Sequence, residues 1–297
     1  MRLLELGARV TLVTKDAPGK TTSAVAGAVW FPYRVRPNAR TGPWGAIGYG
    51  RFEQFSREPR APVTMVEVTM LYGERLTEDP WWLASVPGDA TRAATPQELP
   101  DGYADGLVAR VPCIEAPAYL DWLARRFDEL GGELQVRTLD SLAEPDADAV
   151  VNCCGVDART LAGDADVRPV RGQVAYVRPR HQPRFMVDEN GPNALAYVLP
   201  RPDVTVLGGT AEEGDVELEP RAETTRSILE RTRRLQPQLA NAEYVGSAVG
   251  LRPARSEVRL ELTQLADGRP LVHNYGHGGS GFTLSWGCAE EVARLVL

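Results

Sequence analysis

The feature that most constrains this chain is a glycine-rich stretch near its C-terminus: Val272-His273-Asn274-Tyr275-Gly276-His277-Gly278-Gly279-Ser280-Gly281-Phe282-Thr283, continued by Trp286-Gly287-Cys288-Ala289. Gly276, Gly278, Gly279 and Gly281 remove side-chain bulk from one short segment. Its backbone can therefore approach a ligand closely and take positive φ where a turn requires it. Ala289 to Leu297 is composed of apolar residues and good helix formers, so the loop is expected to open a helix. A glycine loop feeding a helix N-terminus presents backbone N–H groups and a positive dipole end to an electron-rich ligand atom.

Length and charge bound the alternatives. A chain of 297 residues suits one large or two medium domains. The net charge of −7 argues against general nucleic-acid binding, since no basic face is available to neutralise phosphates. Cys113, Cys153, Cys154 and Cys288 show no zinc-site spacing, and the vicinal pair Cys153-Cys154 cannot easily form a relaxed disulfide. A reducing, cytoplasmic setting is the expectation. No apolar run approaches the roughly 20 residues of a membrane span, and the segment Met1 to Gly7 is too short for a secretory signal.

The N-terminus reads as the middle of a unit. Leu3, Leu4 and Leu6 give Met1 to Gly7 an apolar side, with Gly7 as a helix terminator. Val10-Thr11-Leu12-Val13 is expected to be a short buried strand. Helix end, glycine, strand is the second half of a nucleotide-binding βαβ unit, whose first strand and GxGxxG turn are not in the sequence. A complete unit spans about 30 residues, so roughly 20 more are expected upstream. A late gene start is the favoured explanation. A truncation, or a fold remnant that has lost the loop and with it the cofactor, are the alternatives.

Further segments match the C-terminal one in order. Thr21-Thr22-Ser23-Ala24-Val25-Ala26-Gly27-Ala28-Val29-Trp30-Phe31-Pro32-Tyr33 combines hydroxyls and small residues that let backbone approach a phosphate or ring. Val150-Val151-Asn152-Cys153-Cys154-Gly155, Val170-Arg171-Gly172-Gln173-Val174 and Gly250-Leu251-Arg252-Pro253 follow. From Val10 to Leu297 the chain resembles the D-amino acid oxidase family of flavoenzymes. The resemblance implies an α/β fold: an FAD-binding, Rossmann-like domain lacking its first strand and GxGxxG turn, interleaved with a mainly antiparallel β substrate domain. It assigns residues 1–42, 108–172 and 246–297 to the former and 43–107 and 173–245 to the latter.

The elements expected between these motifs are a helix from Pro43 to Glu58, a strand from Val63 to Tyr72 and a surface excursion from Glu78 to Asp105. An amphipathic helix follows from Ala116 to Leu130, then strands Val174 to Val177, Ala196 to Pro200 and Val204 to Leu207, and a helix from Thr224 to Leu239.

The resemblance also implies the site. FAD is the cofactor, held by Lys15, Asp16, Thr21, Thr22, Gly27, Ala28, Val29, Leu139, Gly278, Gly279, Ser280, Gly281, Phe282 and Thr283. For Lys15-Asp16, a solvated turn is as good a reading of the residues alone. The substrate carboxylate falls to Arg252 and the Tyr197 hydroxyl, and the amino group to the Gly279 carbonyl. Taken alone, an arginine between Gly250-Leu251 and Pro253 reads equally as a structural ion pair or as a carboxylate fork. No side chain is assigned as acid or base, His273 and His277 included, and no metal is expected.

The family's mammalian members carry a tyrosine four residues before the one matching Tyr197; Asn193 stands there in this chain. The implied activity is oxidative deamination of a D-amino acid by O2 to a 2-oxo acid, ammonia and hydrogen peroxide. A related oxidase of D-aspartate, glycine or sarcosine is the alternative. Arg34 and Arg201 are the candidate second cations for D-aspartate, and both are expected to be exposed. A homodimer is compatible with this reading.

Overall fold

The computed structural model describes all 297 residues. In chain order the first elements are α1 (Arg2–Glu5), β1 (Thr11–Thr14), α2 (Thr22–Val25), α3 (Thr41–Phe55), β2 (Val63–Tyr72), β3 (Thr91–Ala93), β4 (Asp105–Ile114), α4 (Ala116–Glu129), β5 (Glu133–Val136) and β6 (Val150–Asn152). Then come α5 (Ala158–Leu161), β7 (Arg168–Arg178), β8 (Phe185–Asp188), β9 (Ala196–Pro200), β10 (Thr205–Gly208), β11 (Glu212–Glu213), α6 (Ala222–Leu235), β12 (Glu243–Gln264), β13 (Pro270–His277) and α7 (Gly281–Val296). No helix is long and apolar enough to cross a membrane.

Ten strands form one path, β3-β4-β2-β8-β9-β10-β7-β12-β13-β6, with β11 paired to β7. Most neighbours are antiparallel; β2–β8 and β13–β6 are parallel. β12 is the longest strand. Its first part pairs with β7 and its second with β13, so it links the antiparallel centre of the sheet to the edge that leads into the glycine loop. β1 and β5 form a separate parallel pair, Thr11 opposite Glu133.

β1 corrects one expectation. The strand is not buried: Leu12 is 47% exposed, because only the β5 edge covers it.

Strand alternation divides the central sheet into two faces. Ala175, Val177, Val198 and Leu207 turn to one side and pack under α6 through Ile228, with Leu239 beyond it. Val174, Val187, Leu199 and Val206 turn to the other, where Trp30, Phe31, Tyr49 and Trp82 cover them. Arg171, fully buried on β7, holds the 209–221 loop. It donates to Glu212 at 2.6 Å and to the carbonyls of Glu217 and Glu219 at 2.7 and 2.8 Å.

α3 and α7 cross at unusually short range because both carry glycine at the contact. A Cβ on Gly48 would strike the Thr283 carbonyl, and one on Gly287 would strike the Trp44 backbone. Apolar packing around the crossing (Trp44, Leu284, Cys288 and Val292 on one side, Phe52, Phe55 and Trp286 on the other) fixes where α7 begins. Gly287→Ala is therefore expected to cost at least the 1–3 kcal/mol typical of overpacking, roughly, and to lower the urea midpoint. Gly50→Ala on the same helix meets open space and should stabilise the fold by about 0.5–1 kcal/mol, raising the midpoint. Equal effects of the two substitutions would refute the close crossing.

Candidate active site

One cavity of about 2210 Å³ lies over the second face of the sheet, bordered by Gly172, Val187, Tyr197, Leu199, Gly250 and Arg252. It continues past the glycine loop to β1 and the segment 137–148.

Arg252 projects from β12 across Gly172 of β7, where any Cβ would collide with its guanidinium. The group lies 5.5 Å from the centre of the Tyr33 ring and donates through Nη1 to the Thr210 carbonyl at 2.8 Å. That is its one hydrogen bond, and no carboxylate reaches it. Arg255 and Arg259, a few residues on, are paired with Asp164 at 3.0 and 3.4 Å. Arg252 is thus a fixed cation without a counter-charge, facing a cavity.

Tyr197 enters the cavity from β9, its ring laid over Gly208 and Gly209. Burial raises its hydroxyl pKa, with the Arg252 charge opposing, so the phenol stays neutral and free to donate. The sheet register places Gly208 opposite Tyr197 on one side and Val187 opposite it on the other.

The glycine loop approaches from the opposite side. Gly278 has φ of 56° and donates its N–H to the Pro253 carbonyl at 2.9 Å. A Cβ there would meet the Arg34 carbonyl, and one on Gly279 the Tyr33 ring. The Gly279 carbonyl receives no donor. Thr283 donates to the Phe31 carbonyl at 2.9 Å and accepts from the Phe31 N–H at 3.1 Å, so its hydroxyl is already used. The N–H groups of residues 281–283 open α7 without backbone acceptors, as the first turn of any helix must. Gly281, Phe282 and Thr283 border the cavity.

Lys15, Asp16, Thr21, Thr22, Gly27, Ala28, Val29, Leu139, Gly278 and Gly279 border it as well. Lys15 also holds Asp157 at 2.5 Å. Ser280 is the exception among the expected cofactor residues. It is fully buried, its hydroxyl donates to the Tyr33 carbonyl at 2.8 Å, and it does not reach the cavity.

Arg201 corrects a second expectation. It is only 8% exposed, held by Glu115 at 3.3 Å and by the Gly27 carbonyl. Arg34 is exposed as expected and pairs with Glu213 at 3.3 Å. Tyr33, Thr210, Val187, Leu195 and Glu189 also border the cavity, and Tyr33 and Thr210 touch Arg252. Of these, only Tyr33 fell within a matched motif.

The cavity suits the flavin dinucleotide that the sequence implies. It exceeds the roughly 300–1,000 Å³ of an ordinary small-ligand pocket. His277 Nε2 and Asn274 Oδ1, on the strand feeding the loop, are out of solvent and lack partners. Burial pushes the His277 pKa down to about 4, so the imidazole is neutral. Gly278→Ala should leave the purified protein with little bound flavin by visible absorbance, and full flavin content would contradict the close approach.

The loop's support is electrostatic. Burial would raise the Asp164 pKa, but hydrogen bonds from Tyr275 and Arg255 outweigh it and hold the carboxyl below its usual range. A depressed carboxyl stabilises the fold above its unfolded pKa of about 3.9 and loses that contribution as pH falls through the folded value. Asp164→Asn should therefore flatten the acid side of the stability curve below about pH 4. Urea midpoints measured from pH 6 to pH 3 test this, and parallel curves for the two proteins would contradict it.

The chain matches the family model for FAD dependent oxidoreductases over residues 1–295. It is 46% identical over 296 residues to the D-amino-acid oxidase of Rubrobacter xylanophilus, covering 99% of this chain and 90% of that protein. To the D-aspartate oxidase of Homo sapiens it is 37% identical over 300 residues, covering 97% and 86%. Among solved structures, glycine oxidase from Geobacillus kaustophilus aligns with a TM-score of 0.81 at 19% identity, covering 99% and 90%, a likeness of fold alone. By the family match along nearly its whole length, the chain belongs to the FAD-dependent oxidoreductase family of the D-amino acid oxidases.

Proposed function

We infer that this protein is an FAD-dependent oxidase that converts D-amino acids and O2 to 2-oxo acids, ammonia and hydrogen peroxide. The observation that carries the site assignment is Arg252: a guanidinium fork with one hydrogen bond and no counter-ion, aimed into the cavity. A planar fork of fixed charge matches a carboxylate in two parallel hydrogen bonds. The neutral Tyr197 hydroxyl adds a third donor to the same carboxylate. The donor-free Gly279 carbonyl takes an N–H of the substrate amine.

When bound, FAD accepts the two electrons of the substrate Cα–H bond. The chain's own residues bind and orient. With carboxylate and amine fixed, the handedness of Cα decides whether its hydrogen or its side chain points at the cofactor, and such positioning is a large part of the rate. No side chain is assigned as a base in this reading, so the amine enters neutral. Tyr33 closes over Arg252 and strengthens the ion pair by excluding water.

The D-aspartate reading needs a second free cation. Arg34 is engaged by Glu213 and Arg201 by Glu115, which favours substrates without a side-chain carboxylate. The four cysteines are all thiols, which supports a reducing, cytoplasmic setting.

Arg252→Ala should lower kcat/KM for D-alanine about 10²-fold or more, from two charged hydrogen bonds at roughly 1.5–3 kcal/mol each. Arg252→Lys should fall between, keeping the charge but losing the fork. Steady-state turnover unchanged in the alanine variant would refute the assignment.

A further inference from the structure

β8 ends at Asp188, and the chain turns through residues 189–193 before entering β9. One buried carboxylate pins that turn. Asp188 Oδ1 accepts from the Gly191 N–H at 2.5 Å, and Oδ2 accepts from the Asn193 N–H at 2.8 Å and from the Tyr103 hydroxyl. Asn193 is itself buried, its amide donating to the Tyr103 hydroxyl at 3.2 Å, and it does not border the cavity.

Glu189 opens the pinned turn, one residue past the end of β8. Glu189 borders the same cavity as Arg252 and Tyr197. It is half-buried and takes part in no side-chain hydrogen bond or ion pair. Val187, the last but one residue of β8, stands opposite Tyr197 and lines the cavity, and Glu189, the first residue past the end of the strand, lines it too. Burial raises its carboxyl pKa, with the Arg34 charge opposing; Arg34 itself is held by Glu213. Glu189 is therefore a carboxyl group without a committed side-chain partner.

Arg252 and Glu189 bracket the pocket. Arg252 lies over Gly172 of β7, and β8 is three strands away in the order β7-β10-β9-β8. At about 4.8 Å per strand this is roughly 14 Å. A substrate whose carboxylate sits on Arg252 and whose side chain runs over β10 and β9 points its far end at Glu189. Leu195 and Val187 line the path and suit a methylene stem. The four-carbon stem of a lysine, or the planar guanidinium of an arginine, carries a cation to that end.

We propose that Glu189 is a specificity determinant that favours D-amino acids with a cationic side chain over neutral and acidic ones. This deepens the oxidase reading and rests on it. The test measures kcat/KM for D-lysine, D-alanine and D-glutamate in the holoenzyme and in Glu189→Gln and Glu189→Lys, each enzyme serving as its own reference. The D-lysine to D-alanine ratio should drop about tenfold in Glu189→Gln, through KM, and the D-glutamate to D-alanine ratio should rise in Glu189→Lys. Ratios unchanged in both variants overturn the proposal and leave the oxidase reading intact. The wild type alone gives a second measurement: it should prefer D-lysine to the uncharged D-norleucine, and the opposite order overturns the proposal. A wild type that oxidises none of these D-amino acids overturns the oxidase reading, and this inference with it.

Discussion

The structure depends on a backbone contact between two distant parts of the chain. The loop at residues 276–281 lies against the segment Phe31 to Arg34 so closely that Gly278 and Gly279 leave no room for a Cβ. Paired hydrogen bonds between Thr283 and Phe31, and one from Ser280 to Tyr33, lock the two segments together. The contact aims the open end of α7 into the cavity and sets the Tyr33 ring beside Arg252. The glycines therefore act twice over: they permit the contact, and they leave bare backbone facing the cavity.

The second organising fact is an imbalance of charge. Nearby arginines are spent on structure: Arg171 on the 209–221 loop, Arg255 and Arg259 on Asp164, Arg201 on Glu115 and the Gly27 carbonyl. Arg252 alone among these has no carboxylate partner. Holding a cation at a partly desolvated site without a counter-ion is unfavourable, and an anionic group bound there would relieve that cost.

Much of this was legible in the sequence because it is local. The alternation of Val63 to Tyr72 is β2, and the apolar stripe from Ala116 is α4. The glycine loop opens α7 eight residues earlier than Ala289, since Gly281 can occupy a first helical turn. What was not legible depends on partners far away in the chain. Burial of Val10–Val13 was expected from hydrophobicity, yet strand burial is set by neighbours, and β1 has one, beginning at Glu133. Arg201 reads as exposed beside Pro202 and Asp203, but Glu115 and Gly27 take it into the interior. Ser280 sits inside the matched loop, and only the fold shows that its hydroxyl turns away to Tyr33. Glu189 carried no motif; only the fold, where β8 ends at Asp188 and the chain turns back into β9, shows that it lines the cavity.

The most direct test of the account is the visible spectrum of the protein with FAD, recorded before and after anaerobic addition of D-alanine or L-alanine in parallel. The account predicts a protein-bound flavin band that bleaches with the D-enantiomer and persists with the L-enantiomer. Absence of bound flavin, or bleaching by L-alanine in preference to D-alanine, would contradict it.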